Sequence, residues 1–250
     1  MGRMQAVTDH RTHQAGGGDH GPIVGSVVIT IDGPAGTGKS TVSRLLAGRL
    51  GLDFLDTGAM YRAAAAIAID HGLRVDDHDA IVARVADADL HFDWQLDPPA
   101  ILAWLKPLDD RIRDADVTRL VSPIAAIGPL REHMVRKQRL IARQHPRLVT
   151  EGRDQGSVVF PDAEVKFYLD AEPAVRASRR AAQLREADPA QALNEASLLA
   201  EIIERDRRDS SRTDGPLRCP DDAVRIDTGP IELPQVVDLL ERLVRERLGT

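Results

Sequence analysis

Gly33-Pro34-Ala35-Gly36-Thr37-Gly38-Lys39-Ser40 fits the pattern G-x-x-x-x-G-K-[ST], and Thr41 continues it. Each part answers a physical need. Glycines let the backbone curl until successive N–H groups point at one anion. The N-terminus of the helix that follows adds a favourable dipole. Lys39 can reach the β- and γ-phosphates of a nucleoside triphosphate, and the Ser40 hydroxyl can ligate Mg²⁺. A β-branched run before it and a helical pattern after it supply the expected context. Such a loop implies ATP or GTP binding and leaves the reaction open.

Three further segments could complete a reaction. Leu55-Asp56-Thr57-Gly58-Ala59-Met60-Tyr61-Arg62 places Arg62 one strand beyond the loop, at the carboxyl edge where open α/β sheets bind ligands. Glu151-Gly152-Arg153-Asp154 follows another strand and opens at the same edge. There Glu151 could hold Mg²⁺ through water and Arg153 could clamp a phosphate; taken alone, the segment also reads as a tight turn with a local ion pair. Glu204-Arg205-Asp206-Arg207-Arg208-Asp209-Ser210-Ser211-Arg212 is a charge run of the kind that is ordinarily a solvated helix face. Arg205, Arg208 and Arg212 nevertheless fall at i, i+3 and i+7 with Asp209 beside them, and Arg176 and Arg180 form an i, i+4 pair. Like charges stacked on one face need a compensating anion, which two polyphosphates meeting in a cleft would supply.

These residues need a scaffold that delivers them to one edge. Val27–Ile31 reads as a buried strand, followed by a helix from Lys39 to about Leu50. Phe54–Asp56 is a second strand, with helices from about Ala59 to His71 and Asp77 to Ala88. Leu90–Trp94 and Ile101–Leu105 suggest a small antiparallel insertion. Helices span about Ala115 to Arg143, interrupted at Pro123 and Pro129. Strands at Leu148–Thr150, Val165–Leu169 and Val224–Ile226 alternate with helices at about Pro173–Arg185, Ala196–Arg208 and Leu233–Leu248. Alternation of this kind predicts an α/β fold of three layers, with a five-stranded parallel sheet covered on both faces.

Composition narrows the class. The chain has 250 residues, 42% hydrophobic and 29% charged, enough for one sizeable soluble domain with an insertion. Its net charge of −6 argues against nucleic acid or anionic membrane as a partner. Only Lys39, Lys106, Lys137 and Lys166 are lysines among 33 basic residues, and the arginine fork suits bidentate phosphate binding. The one cysteine, Cys219, excludes an internal disulfide and a cysteine metal cluster. No apolar run is long enough for a membrane helix and no signal-peptide core is visible, so a cytoplasmic location is expected. Residues 1–25 are poor in apolar side chains and read as a disordered leader ahead of a domain at 26–250.

Together the four segments resemble bacterial cytidylate kinases: Ile31–Thr41, Leu55–Arg62, Glu151–Pro161 and Glu204–Arg212, in order, from about Val27 to the C-terminus. The resemblance implies a P-loop kinase that moves the γ-phosphate of ATP to CMP or dCMP with Mg²⁺, acting as a monomer. It implies that Thr57, Arg62 and Arg153 hold the acceptor phosphate and that Ser122, Arg131 and Asp154 read the cytosine edge. Arg205, Asp209 and Arg212 would surround the acceptor ribose and phosphates, and Arg176 and Arg180 would lie on the ATP side with residues 33–41. Lys39, Arg153, Arg205 and Arg212 would carry the catalytic charge, and Ser40 and Glu151 the metal. It further implies a monophosphate-binding insertion at 60–145, with its β segment near 90–113, and a short helical lid at 183–197.

Competing readings are a regulatory GTPase, a nucleotide-binding switch without turnover, and another small kinase acting on UMP, AMP or shikimate. The guanine-reading Asn-Lys-x-Asp motif is absent, since the one asparagine is Asn194. The Gly-Arg-Asp-Gln-Gly segment and the insertion argue against the other kinases.

Overall fold

The computed structural model describes residue 23 and residues 25–189 and 193–250. The expected leader otherwise lies outside the described residues, as do residues 190–192 of the expected lid.

The main sheet has the order β2-β6-β1-β7-β8 and is parallel throughout. Its strands are β1 (Val27–Asp32), β2 (Asp53–Asp56), β6 (Arg147–Gly152), β7 (Val165–Asp170) and β8 (Val224–Asp227). The sequence Val-Val-Ile-Thr-Ile-Asp of β1 is β-branched at five of six positions, which suits a central strand buried on both faces. Asp32 is paired with Gly152, so β1 and β6 end side by side. The loops leaving these two ends carry the Gly33–Ser40 and Arg153–Asp154 segments, and the chain order reverses there.

On one face, α1 (Lys39–Leu50) and α8 (Leu233–Leu248) close a core around Ile29, Ile31, Leu46 and Leu240. Ile23 is 3% exposed and packs there too, although it falls within the stretch expected to be leader. The other face is covered by α2 (Thr57–Asp70), α3 (His78–Asp87), α4 (Ala115–Ile124) and α5 (Gly128–Gln144). Ala63, Ala64, Ala65 and Ala66 of α2 are fully buried, so this helix is enclosed on every side. α6 (Pro173–Ala187) and α7 (Glu195–Ser210) pack on each other beyond β7.

The insertion is a three-stranded antiparallel sheet of β3 (His91–Asp93), β4 (Ala100–Ala103) and β5 (Lys106–Pro107). The strand expected over Ile101–Leu105 stops at Ala103. Trp104 and Leu105 take φ of 47° and 63°, the left-handed pair of a tight hairpin turn, and Lys106–Pro107 returns as the third strand. Pro123 does not interrupt its helix as expected; it lies in the last turn of α4, so only one further helical residue follows it. The break falls between α4 and α5, and Pro129 opens α5.

Candidate active site

The phosphate loop is held in shape from below. Gly33 has φ 147°, and a Cβ there would lie 2.0 Å from the Leu169 carbonyl oxygen, so glycine is required. The Thr37 hydroxyl donates to Pro34 O at 3.1 Å, and Lys39 Nζ donates to the same oxygen at 2.8 Å. Lys39 is 5% exposed, and burial, with Arg153 nearby, lowers its ammonium to about 7. Gly36, Gly38, Ser40 and Thr41 line the cleft with it.

Beside the loop, Ser40 Oγ donates to Glu151 Oε1 at 2.7 Å. Glu151 is paired with Asp56 across β6 and β2. Burial and the Asp56 charge push the Glu151 carboxyl up. Burial would also raise Asp56, but Arg62 and its hydrogen bonds outweigh that and hold it low. Asp56 caps α2 by accepting from Ala59 N and binds Arg62 Nη2 at 2.7 Å. Thr57 donates its hydroxyl to Glu151 O at 2.7 Å.

A single carboxylate organises the opposite wall. Asp209 on α7 is 1% exposed. Its Oδ1 accepts from Ser122 Oγ at 3.0 Å and from Arg212, and its Oδ2 accepts from Arg153 Nε at 3.0 Å. Arg205 Nε lies 4.0 Å away and has no hydrogen-bond partner of its own. Burial would raise the Asp209 carboxyl; Arg153, Arg212 and Arg205 outweigh it and hold it low. Burial, then Arg153, lowers Arg205 to about 10.

Farther along, Arg131 forms an ion pair with Asp154, the two side chains 5% and 4% exposed. Arg131 also donates to Ala125 O at 3.1 Å and sits over the Tyr61 ring, 5.4 Å from its centroid.

One cleft therefore runs from the phosphate loop to the Arg131–Asp154 pair. Cations outnumber carboxylates along it: Lys39, Arg62, Arg131, Arg153, Arg180, Arg205 and Arg212 against Glu151, Asp154 and Asp209. That excess suits polyanionic ligands.

A family model described as cytidylate kinase matches residues 29–246. The chain belongs to the cytidylate kinase family. A cytidylate kinase of Rhodococcus opacus is 42% identical over 230 residues, covering 90% of this chain and 97% of that protein. One of Methylococcus capsulatus is 44% identical over 219 residues, covering 87% and 96%. A third, from Aeromonas salmonicida, is 40% identical over 222 residues, covering 89% and 95%.

Kinases of this family carry out ATP-dependent phosphoryl transfer, which generally takes a divalent metal. The cleft suits one. Ser40 and Glu151 offer hard oxygen donors 2.7 Å apart, and a cation there would relieve the buried Glu151–Asp56 repulsion. No group of three or more His, Cys, Asp or Glu converges on a metal-sized point among the described residues. A cation held by one or two protein oxygens and completed by phosphates fits that donor set.

Most of the residues expected at the site meet in this cleft. Gly33, Pro34, Thr37 and Arg176 do not line it; Pro34 and Arg176 line a separate depression behind the phosphate loop. Arg208, third member of the arginine stripe, turns outward and binds Glu204 at 2.8 Å. Asp32 was not among the residues expected at the site. This buried carboxylate ends β1 and accepts from Gln155 N at 2.8 Å and Gly156 N at 2.7 Å, although burial pushes it up to about 7. It thereby fixes the turn that carries Arg153 and Asp154. A carboxylate at the end of an otherwise apolar strand was the available signal. Tyr61 was also missed, though it stands one position before Arg62.

Proposed function

We propose that this protein transfers the γ-phosphoryl group of ATP to CMP or dCMP, with Mg²⁺. The observation that carries the reading is the cleft that joins Lys39 at one end to the Asp154–Arg131 pair at the other, with Asp209 and its arginines between them.

A nucleoside monophosphate has a second pKa of about 6, so its phosphate oxygen is already an anionic nucleophile at pH 7 and needs no general base. The protein's task is alignment of two polyanions and exclusion of water. The backbone of Gly33–Thr41 and Lys39 hold the donor phosphates, with Arg180 at the same end. Arg62, Arg153 and Thr57 hold the acceptor phosphate, and Arg205 and Arg212 neutralise charge between donor and acceptor. Ser40 and, through water, Glu151 would hold Mg²⁺, which would supply positive charge to offset that of the phosphates.

Base choice follows from polarity. Cytosine offers an amino donor at position 4 and acceptors at N3 and O2. Asp154 accepts from the amino group, Arg131 donates to the acceptors, and Ser122 supports them. Uracil reverses the polarity at two of these points. The segment at 60–145 acts as the monophosphate-binding region and that at 183–197 as a lid. The protein acts as a monomer in the cytoplasm; no helix among the described residues is long and apolar enough to cross a membrane.

The test is a coupled ADP-release assay with CMP, dCMP, UMP, AMP and shikimate. Turnover with CMP or dCMP, and little with the others, is expected. Equal turnover with UMP would overturn the base assignment, and ATP binding without any acceptor-dependent ADP release would overturn the kinase reading.

A further inference from the structure

Arg176 was expected among the ATP contacts, but its surroundings give it a different task. Its side chain is 3% exposed, and three of its donors reach three different parts of the molecule. Nε donates to Ala171 O at 2.8 Å, in the segment that leaves β7. Nη1 donates to Ala35 O at 3.0 Å, inside the phosphate loop. Nη2 pairs with Asp206 Oδ2 at 2.7 Å, on α7. The approach to the loop is close: Gly36 has φ 82°, and a Cβ there would lie 3.2 Å from the Arg176 Cβ.

Asp206 is flanked on α7 by Arg205 and followed one turn later by Asp209, both of which face the cleft. The guanidinium thus spans the back of the site, from the donor loop to the helix that carries the acceptor clamp. A buried charge is expensive where apolar packing would serve, and only a planar fork can serve three acceptors in these directions.

We propose that Arg176 is a positioning residue that sets the distance between the phosphate loop and α7, and that it is not a ligand of ATP. Phosphoryl transfer depends steeply on that distance, since a displacement of about 1 Å between reacting groups can cost on the order of 100-fold in rate. The inference rests on the kinase reading given above.

The test compares Arg176→Lys, Asp206→Asn and the double variant. It measures kcat, ATP affinity by calorimetry without acceptor, and thermal midpoint. If Arg176 and Asp206 act as one bridge, each single change lowers kcat by roughly ten- to a hundredfold. ATP affinity stays within about threefold, and the double variant is no worse than the poorer single one. Two results overturn the proposal. One is loss of ATP affinity in Arg176→Lys with kcat preserved at saturating ATP, which marks a direct ligand. The other is wild-type kcat in Asp206→Asn, which shows that nothing passes through α7. Should Arg176→Lys fail to fold, Asp206→Asn decides alone, because its kcat is read on folded protein. Failure of the kinase reading would appear separately, as wild-type protein that turns over no monophosphate.

Discussion

Arg153 Nε donates to Asp209 Oδ2 at 3.0 Å across 56 residues of sequence, and both residues line the cleft. It joins the loop after β6 to α7. The same carboxylate also holds Arg212 and Ser122.

Asp209→Asn should therefore destabilise the ligand-free protein by about 2 kcal/mol, since it leaves clustered guanidinium groups without their counter-charge. Arg153 and Arg205 retain 18% and 33% side-chain exposure, so solvent screens part of the exposed charge. Thermal melts with and without inorganic phosphate check the origin of the loss. Phosphate should raise the midpoint of the variant more than that of the wild type, and equal shifts would show that charge is not the cause.

Arg212→Ala should lower kcat/KM far more than it lowers the melting temperature. Its Nη2 binds Asp209 and lies 3.3 Å from Ser122 Oγ, yet the residue lines the cleft. Steady-state kinetics beside a thermal melt decide this; a variant that mainly unfolds would make Arg212 a structural residue.

Lys39→Met should keep the fold while losing about 10²- to 10³-fold in kcat, the usual cost of removing a group aimed at developing charge. Its stability should match or exceed the wild type at pH 6. The sign follows from the buried ammonium, lowered to about 7 from the ordinary lysine value of 10.5. The unfolded chain binds this proton more tightly, so wild-type stability rises with pH between these two values and the penalty is largest below the lower one. Denaturant titrations of both proteins at pH 6 and 9 test it, and a stability gap that does not change with pH contradicts it.

The same depression predicts proton uptake when ATP binds. Burial and Arg153 favour the neutral form of the free lysine, whereas triphosphate beside it favours the charged form. Calorimetry at pH 8 in buffers of different ionisation enthalpy should report net proton uptake on ATP binding, and no uptake would show that Lys39 is already charged in the free protein.

Asp154→Ala should cut kcat/KM for CMP and shrink the CMP/UMP ratio by ten- to a hundredfold, because one buried acceptor is lost from a paired polar site. An unchanged ratio would place base selection elsewhere in the cleft.

How far the sequence could be read depended on how local each cause is. The phosphate loop and the five strands were legible because glycine spacing and β-branched runs act over a few residues. Arg131 carries no local signal and came from family resemblance alone, since its partner Asp154 is 23 residues away. The hairpin turn at Trp104 and Leu105 was missed because neither residue favours positive φ; tertiary contacts hold it, including Trp104 Nε1 to Asp87 Oδ2 at 3.1 Å. Arg176 illustrates the remaining gap. Its spacing from Arg180 suggested a shared face, but the direction of a guanidinium depends on which carbonyls the fold brings near it.

Asp209 also bears on what the resting enzyme admits. If Arg153, Arg205 and Arg212 bind the substrate phosphate as proposed, the Asp209 side chain is a tethered competitor for them, with an effective concentration of about millimolar or more. Small monoanions of the cell meet an occupied port, while a dianion with two charges and three acceptor oxygens can take over the guanidinium groups. On that reading the carboxylate would act as a built-in threshold for occupancy, and release of product would return the port to its own plug.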